Sequence, residues 1–148
     1  MLPGSTVTLL IFGTRFLADY SLLCERCDFY TKNHPKIDVI TGCPDKKERG
    51  RFWRPGADGL GERWALERNH GYRNFPADWK RWGNPAGPIR NQEMQAHLIA
   101  APDPKAGIGF WDGQSRGTRD MAELLQQADI PMKMIYYLEM KQIQDSRE

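Results

Sequence analysis

The residues best suited to chemistry lie in the segment 111–121, which combines glycines, hydroxyl side chains and arginines. Gly113, Ser115, Arg116, Gly117 and Thr118 follow the apolar run 108–111. Apolar residues at helical spacing come next, so the segment predicts strand, loop and helix. Such a loop brings backbone N–H groups and a helix N-terminus to one point, which suits a phosphate or another anion. The segment predicts an anion site without identifying the ligand.

The same segment matches G-x-S-x-G, the pattern around the nucleophilic serine of many hydrolases. Ser115 would be that nucleophile, and a histidine should follow it in the chain. The last histidine, His97, precedes it instead. We therefore favour a serine that shapes the loop or binds phosphate.

The cysteines and histidines do not form a predicted metal site. Cys24 and Cys27 make a C-x-x-C, but a zinc site needs a second pair and only Cys43 remains. A redox pair should begin a helix, whereas this pair lies at core spacing within one. We predict two buried thiols, no metal and no cofactor.

The elements that must position these residues alternate between strand and helix. Apolar runs at 7–12, 37–41, 72–75, 108–111 and 132–137 predict five strands, and segments of helical spacing separate them. This order predicts one Rossmann-like α/β domain over residues 1–148. We expect a three-layer sandwich, with helices on both faces of a mainly parallel sheet. Ligands of such folds lie beyond the carboxyl ends of the strands, where loops begin at Gly13, Gly42, Pro76 and Asp112.

An insertion at 43–55 interrupts this rhythm with five basic residues, Phe52 and Trp53. It is either a solvated loop whose aromatic pair packs on the sheet edge or a lid that neutralises phosphates and stacks on a base. A third possibility is a surface for a protein or nucleic-acid partner.

Trp79 and Trp82 follow the third predicted strand. A tryptophan at such a position can belong either to the hydrophobic core or to a ligand site.

The bulk composition favours an ordinary soluble protein. The net charge of +2 is too small to indicate nucleic-acid binding, and no apolar run approaches the ~20 residues of a membrane span. The N-terminus lacks the basic region of a signal peptide. Three cysteines, an odd number, argue against a disulfide framework, so we expect a cytoplasmic setting. The polar tail at 139–148 is expected to fray.

A series of motifs in fixed order resembles the YspA-like branch of the SLOG superfamily, small Rossmann-like domains related to lysine-decarboxylase-like (LOG) proteins. The resemblance covers roughly residues 7–137. Its motifs are Gly13-Thr14-Arg15-Phe16, Gly56-Ala57-Asp58 with Trp64-Ala65, Phe75-Pro76-Ala77-Asp78-Trp79, Ala86-Gly87-Pro88-Ile89-Arg90-Asn91 with Met94, and Phe110-Trp111-Asp112-Gly113 with Ser115-Arg116-Gly117-Thr118 and Met121.

This resemblance implies a homo-oligomeric domain that binds nucleotides or nucleotide-derived ligands, including signalling nucleotides. Some relatives hydrolyse the N-glycosidic bond of nucleoside monophosphates, using an arginine that Arg90 matches and a glutamate whose position Met121 occupies. Losing that carboxylate removes the group expected to activate water or assist the departing base. Asp120 is adjacent, but one residue turns a helical side chain by ~100°. We therefore favour binding without turnover, with a glycosidase using Arg90 and Asp120 or Asp112 as the alternative.

Topology and resemblance together predict one ligand site for a phosphorylated nucleotide derivative. Asp58, Asp78 and Asp112 could bind ribose hydroxyls or hold arginines in place, and Asp58 could equally cap a helix. The predicted ligand-binding residues are Gly13, Thr14, Arg15, Gly42, Gly56, Asp58, Trp79, Arg90, Asn91, Asp112, Gly113, Ser115, Arg116, Gly117 and Thr118.

Overall fold

The computed structural model describes residues 6–45 and 56–137. Within them the strands are β1 (Val7–Gly13), β2 (Ile37–Thr41), β3 (Gly71–Asn74), β4 (Lys105–Trp111) and β5 (Met132–Tyr136). The helices are α1 (Tyr20–Thr31), α2 (Ala57–Glu67), α3 (Trp79–Trp82), α4 (Ala86–Ala100) and α5 (Arg116–Gln127). The larger part of the predicted insertion, 46–55, and the predicted tail lie outside the described residues.

The strands form one parallel sheet in the order β3-β2-β1-β4-β5. The chain builds outward from β1 to β3, then crosses to the other side of β1 for β4 and β5. The strand order therefore reverses between β1 and β4, where a crevice opens at the carboxyl ends of the strands. The predicted α/β fold with a five-stranded parallel sheet is confirmed.

Helices cover both faces of the sheet, because the central strand is apolar on both sides. Leu9 and Ile11 of β1 belong to one core, together with Trp64 of α2. Leu10 and Phe12 belong to the opposite core, which α4 and α5 supply with Leu98 and Leu125 among others. The continuous apolar run that predicted β1 thus reports burial on two faces.

Some predicted boundaries are wrong by a few residues. β4 begins at Lys105, before the apolar run, because Lys105 pairs with Thr8 in the sheet. Its ammonium group also donates to the carbonyl oxygens of Ile99 and Ala101 at the end of α4, a favourable place for a cation. β3 is shifted one residue towards the N-terminus. The predicted loop at 76–85 contains α3, whose N-terminus Asp78 caps by accepting from the Arg81 backbone N–H.

The expectation of two buried cysteines in α1 is half right. Cys27 is fully buried, whereas Cys24 is only partly buried. Three residues of helix turn the side chain by about 300°, which leaves Cys24 about 60° away from the core-facing direction. The thiols of Cys24 and Cys27 form no disulfide. No helix in the described ranges is long and apolar enough to cross a membrane.

Candidate ligand-binding site

A cavity of about 990 Å³ opens at the carboxyl edge of the sheet. The loops after β1, β2, β3 and β4 all contribute to its lining, as do residues of α2, α4 and α5. The convergence predicted from topology is therefore confirmed. The volume lies in the range of cavities that hold small molecules and cofactors.

All but two of the predicted ligand residues line this cavity. The exceptions are Gly113 and Arg116, which are exposed and do not belong to the lining. Arg116 is the first residue of α5. The predicted residues that the fold brings together are Gly13, Thr14, Arg15, Gly42, Gly56, Asp58, Trp79, Arg90, Asn91, Asp112, Ser115, Gly117 and Thr118.

The loop before α5 satisfies several of its own backbone donors. The Asp112 carboxylate accepts from the backbone N–H groups of Gln114 at 2.9 Å and Ser115 at 3.0 Å. Ser115 is the N-cap of α5, and its hydroxyl oxygen accepts from the Thr118 backbone N–H and hydroxyl. Side chains of this kind compete with outside partners for the same amides. Ser115 therefore shapes the loop, and the anion site expected there is partly filled by Asp112.

Two further hydrogen bonds fix this loop, one to the end of β4 and one to the loop after β1. The Trp111 indole N–H donates to the Ser115 carbonyl oxygen at 3.0 Å. The Asp112 backbone N–H donates to the hydroxyl oxygen of Thr14 at 3.1 Å. Thr14 is buried, so the loops after β1 and β4 are joined inside the protein. The geometry of the loop is set before any ligand arrives.

The N-terminus of α2 is built differently. Its N-cap is Gly56, with φ of 104° and no side-chain cap. A Cβ at this position would meet the carbonyl oxygen of Arg15, so both the backbone angle and the space require glycine. The first helical residues, Ala57, Asp58 and Gly59, line the cavity.

Arg90 of α4 is held over the end of β2. Its Nη1 donates to the Gly42 carbonyl oxygen at 2.8 Å and its Nε to the Asn91 side-chain oxygen at 3.0 Å. A Cβ at Gly42 would collide with the guanidinium group. Asn91, which is buried, donates in turn to Asp120 at 3.0 Å. Asp120 is thus engaged by Asn91 and is not among the residues that line the cavity.

Asp58 is the carboxyl group that faces this arginine. Burial raises the pKa of Asp58, while the positive charge of Arg90, the Gly42 backbone N–H and Arg15 act in the opposite direction. A cavity carboxyl whose pKa is shifted by burial and by named charges is a candidate functional group. Asp58 does not cap α2, because it lies within the first turn and Gly56 is the N-cap.

Exposed aromatic side chains stand at the cavity mouth. Phe16 is 65% exposed and Trp79 is 49% exposed, although both line the cavity. Trp82 is also exposed but lies outside the lining, where the Arg81 guanidinium stacks on its ring at 4.5 Å. The sequence left open whether Trp79 and Trp82 belong to the core or to the site. Neither is core, and only Trp79 contributes to the site.

The sequence missed several lining residues. Met94 and Met121 belong to the motifs of the resemblance but were not predicted to bind ligand; both are buried and also contribute to the cavity. Cys43 also lines the cavity, although nothing in the sequence except its place after Gly42 indicated this. Its thiol donates to the buried Glu62 carboxylate at 3.3 Å. The other residues that were missed are Phe12, Phe16, Pro44, Ala57, Gly59, Ala77 and Gln114. In the part of the chain that the structure describes, no group of three His, Cys, Asp or Glu residues is arranged to hold a metal ion.

The chain matches no protein-family model and no curated protein sequence. Among solved structures it is similar to a predicted subunit of a tRNA methyltransferase from Methanocaldococcus jannaschii. The sequence identity is 14% and the TM-score 0.45, over 95% of this chain and 73% of that one. At this level the similarity carries no functional argument. The resemblance to SLOG domains stays a prediction.

Proposed function

We propose that the protein binds a nucleotide or a nucleotide-derived ligand in the cavity at the carboxyl edge of the sheet, as a sensor or sequestering protein of the SLOG type. The observation that carries this proposal is the cavity wall itself. It combines the N-terminus of α2, which has no side-chain cap, with the arginines Arg15 and Arg90 and with exposed aromatic rings at the mouth. Helix N-termini and arginines suit phosphate, and aromatic rings suit a base.

The ligand itself provides the most direct test. The purified protein would be denatured, and any released small molecule would be identified by mass spectrometry. We expect a phosphorylated nucleotide derivative, which should rebind to refolded or ligand-free protein in calorimetry. If nothing is released, a panel of linear and cyclic nucleotides would be titrated. Absence of binding throughout the panel by a folded sample would contradict the proposal.

Hydrolysis of a nucleoside monophosphate is the second candidate function. The position of the Asp58 carboxyl group in the cavity supports it. Asp120 is bonded to Asn91, and Asp112 is bonded to its own loop. Asp58, in contrast, lies in the cavity within electrostatic reach of Arg90. Chromatography for free base after incubation with nucleotides separates the two functions. Intact nucleotide recovered with the protein supports binding, whereas base release abolished by Arg90→Ala supports the enzyme.

We also propose self-association in a reducing, cytoplasmic setting. The exposed Trp82 ring, which is not part of the cavity lining, supports a contact between copies. The thiols of Cys24 and Cys27, which form no disulfide, support the reducing setting. Light scattering coupled to size-exclusion chromatography should give more than one chain mass. A monomer over the full concentration range would contradict self-association.

A further inference from the structure

Asp58 keeps hydrogen-bonding capacity that the folded chain does not use up. An ionised carboxylate can accept about four hydrogen bonds, whereas the Gly42 backbone N–H is the one hydrogen-bond donor that lowers the pKa of Asp58. Within the described residues, no ion pair joins Asp58 to Arg90 or Arg15. Arg90 instead donates to Gly42 and Asn91. The Asp58 carboxylate therefore lines the cavity with acceptor capacity that a hydrogen-bond donor of the ligand can use.

The neighbours of Asp58 limit which donor suits it. A ligand ammonium group would gain from the carboxylate but would be repelled by Arg90 and Arg15, both of which act on Asp58 electrostatically. A neutral hydroxyl does not meet this conflict. It can donate to a carboxylate, which only accepts, and accept from an arginine, which only donates. The pairing of Asp58 with nearby arginines thus complements a hydroxyl group.

The position of Asp58 in the cavity suits the sugar of a nucleotide. α2 packs on one face of the sheet and α5 on the other, and residues from the first turns of both helices line the same cavity. The hydroxyl-bearing sugar of a nucleotide is joined directly to its phosphate. A sugar at Asp58 therefore leaves the phosphate in the same cavity, which Arg15 and Arg90 also line.

We propose that Asp58 binds a free hydroxyl of the ligand's ribose, and so makes the site selective for ribonucleotides over deoxyribonucleotides. This inference rests on the proposed nucleotide function. A purely structural role for Asp58 is the competing explanation, because an acidic residue in the first turn of a helix is favourable in itself. That role predicts no dependence of affinity on the sugar.

The test compares ribose and deoxyribose forms of the same ligand in two variants. Nucleoside 5′-monophosphates and their 2′-deoxy and 3′-deoxy counterparts would be titrated by calorimetry into the wild-type protein, Asp58→Asn and Asp78→Asn. Asp78 is the matched control, because it caps the exposed helix α3 and is not part of the cavity lining. Circular dichroism would establish that each variant is folded.

We expect the wild type and Asp78→Asn to prefer a ribonucleotide by about tenfold or more over at least one deoxy form, as a charged hydrogen bond implies. Asp58→Asn should lose most of this preference. Equal affinity for ribo and both deoxy forms in the wild type would overturn the inference and leave the proposed function standing. A preference retained in Asp58→Asn would also overturn it. Absence of any nucleotide binding would instead overturn the proposed function, and this inference with it.

Discussion

The N-termini of α5 and α2 both line the same cavity, yet they present it with different chemistry. The α5 terminus is preceded by the glycine-containing loop that dominates the sequence, and Asp112 and Ser115 occupy several of its amides. The α2 terminus has a glycine N-cap without a side-chain bond. A loop rich in N–H groups is therefore not an open anion site when its own acidic and hydroxyl side chains can reach those groups. The first amides of the α2 terminus, those of Gly56 and Ala57, donate instead to the backbone carbonyl oxygens of Leu17 and Thr14.

The largest expected effect is a difference in stability between alanine substitutions at Gly56 and at Gly113. Gly56 has φ of 104° and a Cβ there would meet the Arg15 carbonyl, whereas Gly113 has φ of 86° and open space around it. Gly56→Ala should lower the free energy of unfolding by about 2–5 kcal/mol, from backbone strain and overpacking. Gly113→Ala should cost about 1–2 kcal/mol from strain alone. Urea denaturation measures both, and equal losses would remove the distinction between the two termini.

Two arginines test which terminus contributes more to binding. Arg90 lines the cavity beside Gly42, whereas Arg116 on the first turn of α5 is exposed and outside the lining. If Arg90 donates to the ligand, Arg90→Gln should weaken nucleotide binding by about 1.5–3 kcal/mol. Arg116→Gln should weaken it by about 1 kcal/mol or less, as for other exposed charge pairs. The reverse order in calorimetric affinities would place the anionic group of the ligand at α5.

Removing Asp112 should free backbone amides in the loop before α5. Asp112→Ala leaves the Gln114 and Ser115 amides without the carboxylate that they bond. We expect a loss of about 1 kcal/mol in unfolding free energy, as for other caps. We also expect inorganic phosphate to raise the melting temperature of the variant more than that of the wild type, because the amides can then bind an anion. Ser115→Ala serves as a control that loses a cap but keeps the carboxylate. An identical response to phosphate in all three proteins would contradict self-capping.

The smallest expected effect lies away from both N-termini. Burial lowers the pKa of His70, helped by Arg68, and the pKa of His97, helped by Arg73, below the ordinary 6.5. The unfolded chain then takes up protons first as the pH falls through 6.5 towards the folded pKa values, so stability is lost in that window. The double variant His70→Gln with His97→Gln should show a smaller fall in melting temperature between pH 7.5 and 5.5 than the wild type does. An equal fall would assign the loss to other groups.

The sequence predicted much of the fold because its strongest signals are local. The apolar run at 7–12 reports a strand buried on both faces, and the alternation with helices implies a parallel sheet. It also predicted that Gly13, Gly42 and Asp112 converge, since topology alone brings the carboxyl ends of parallel strands together. Element boundaries were predicted less accurately. Lys105 joins β4 through pairing with Thr8, a contact between distant residues that no local pattern reveals.

The residue types at the site were determined by the sequence, but their hydrogen-bond partners were decided by the tertiary structure. Asp112 was a candidate for ribose, and Asp58 was a candidate for ribose or a helix cap. In the folded chain, Asp112 accepts hydrogen bonds from its own loop. Asp58 instead lines the cavity together with Arg90 and Gly42, which both act on its pKa. The physical reason is that local sequence patterns and tertiary contacts act over different distances along the chain. Periodicity and glycine content act over a few neighbouring residues, whereas the fate of a carboxylate depends on which donors arrive from elsewhere in the chain. For Asp58 those donors and charges lie in the loops after β1 and β2 and in α4.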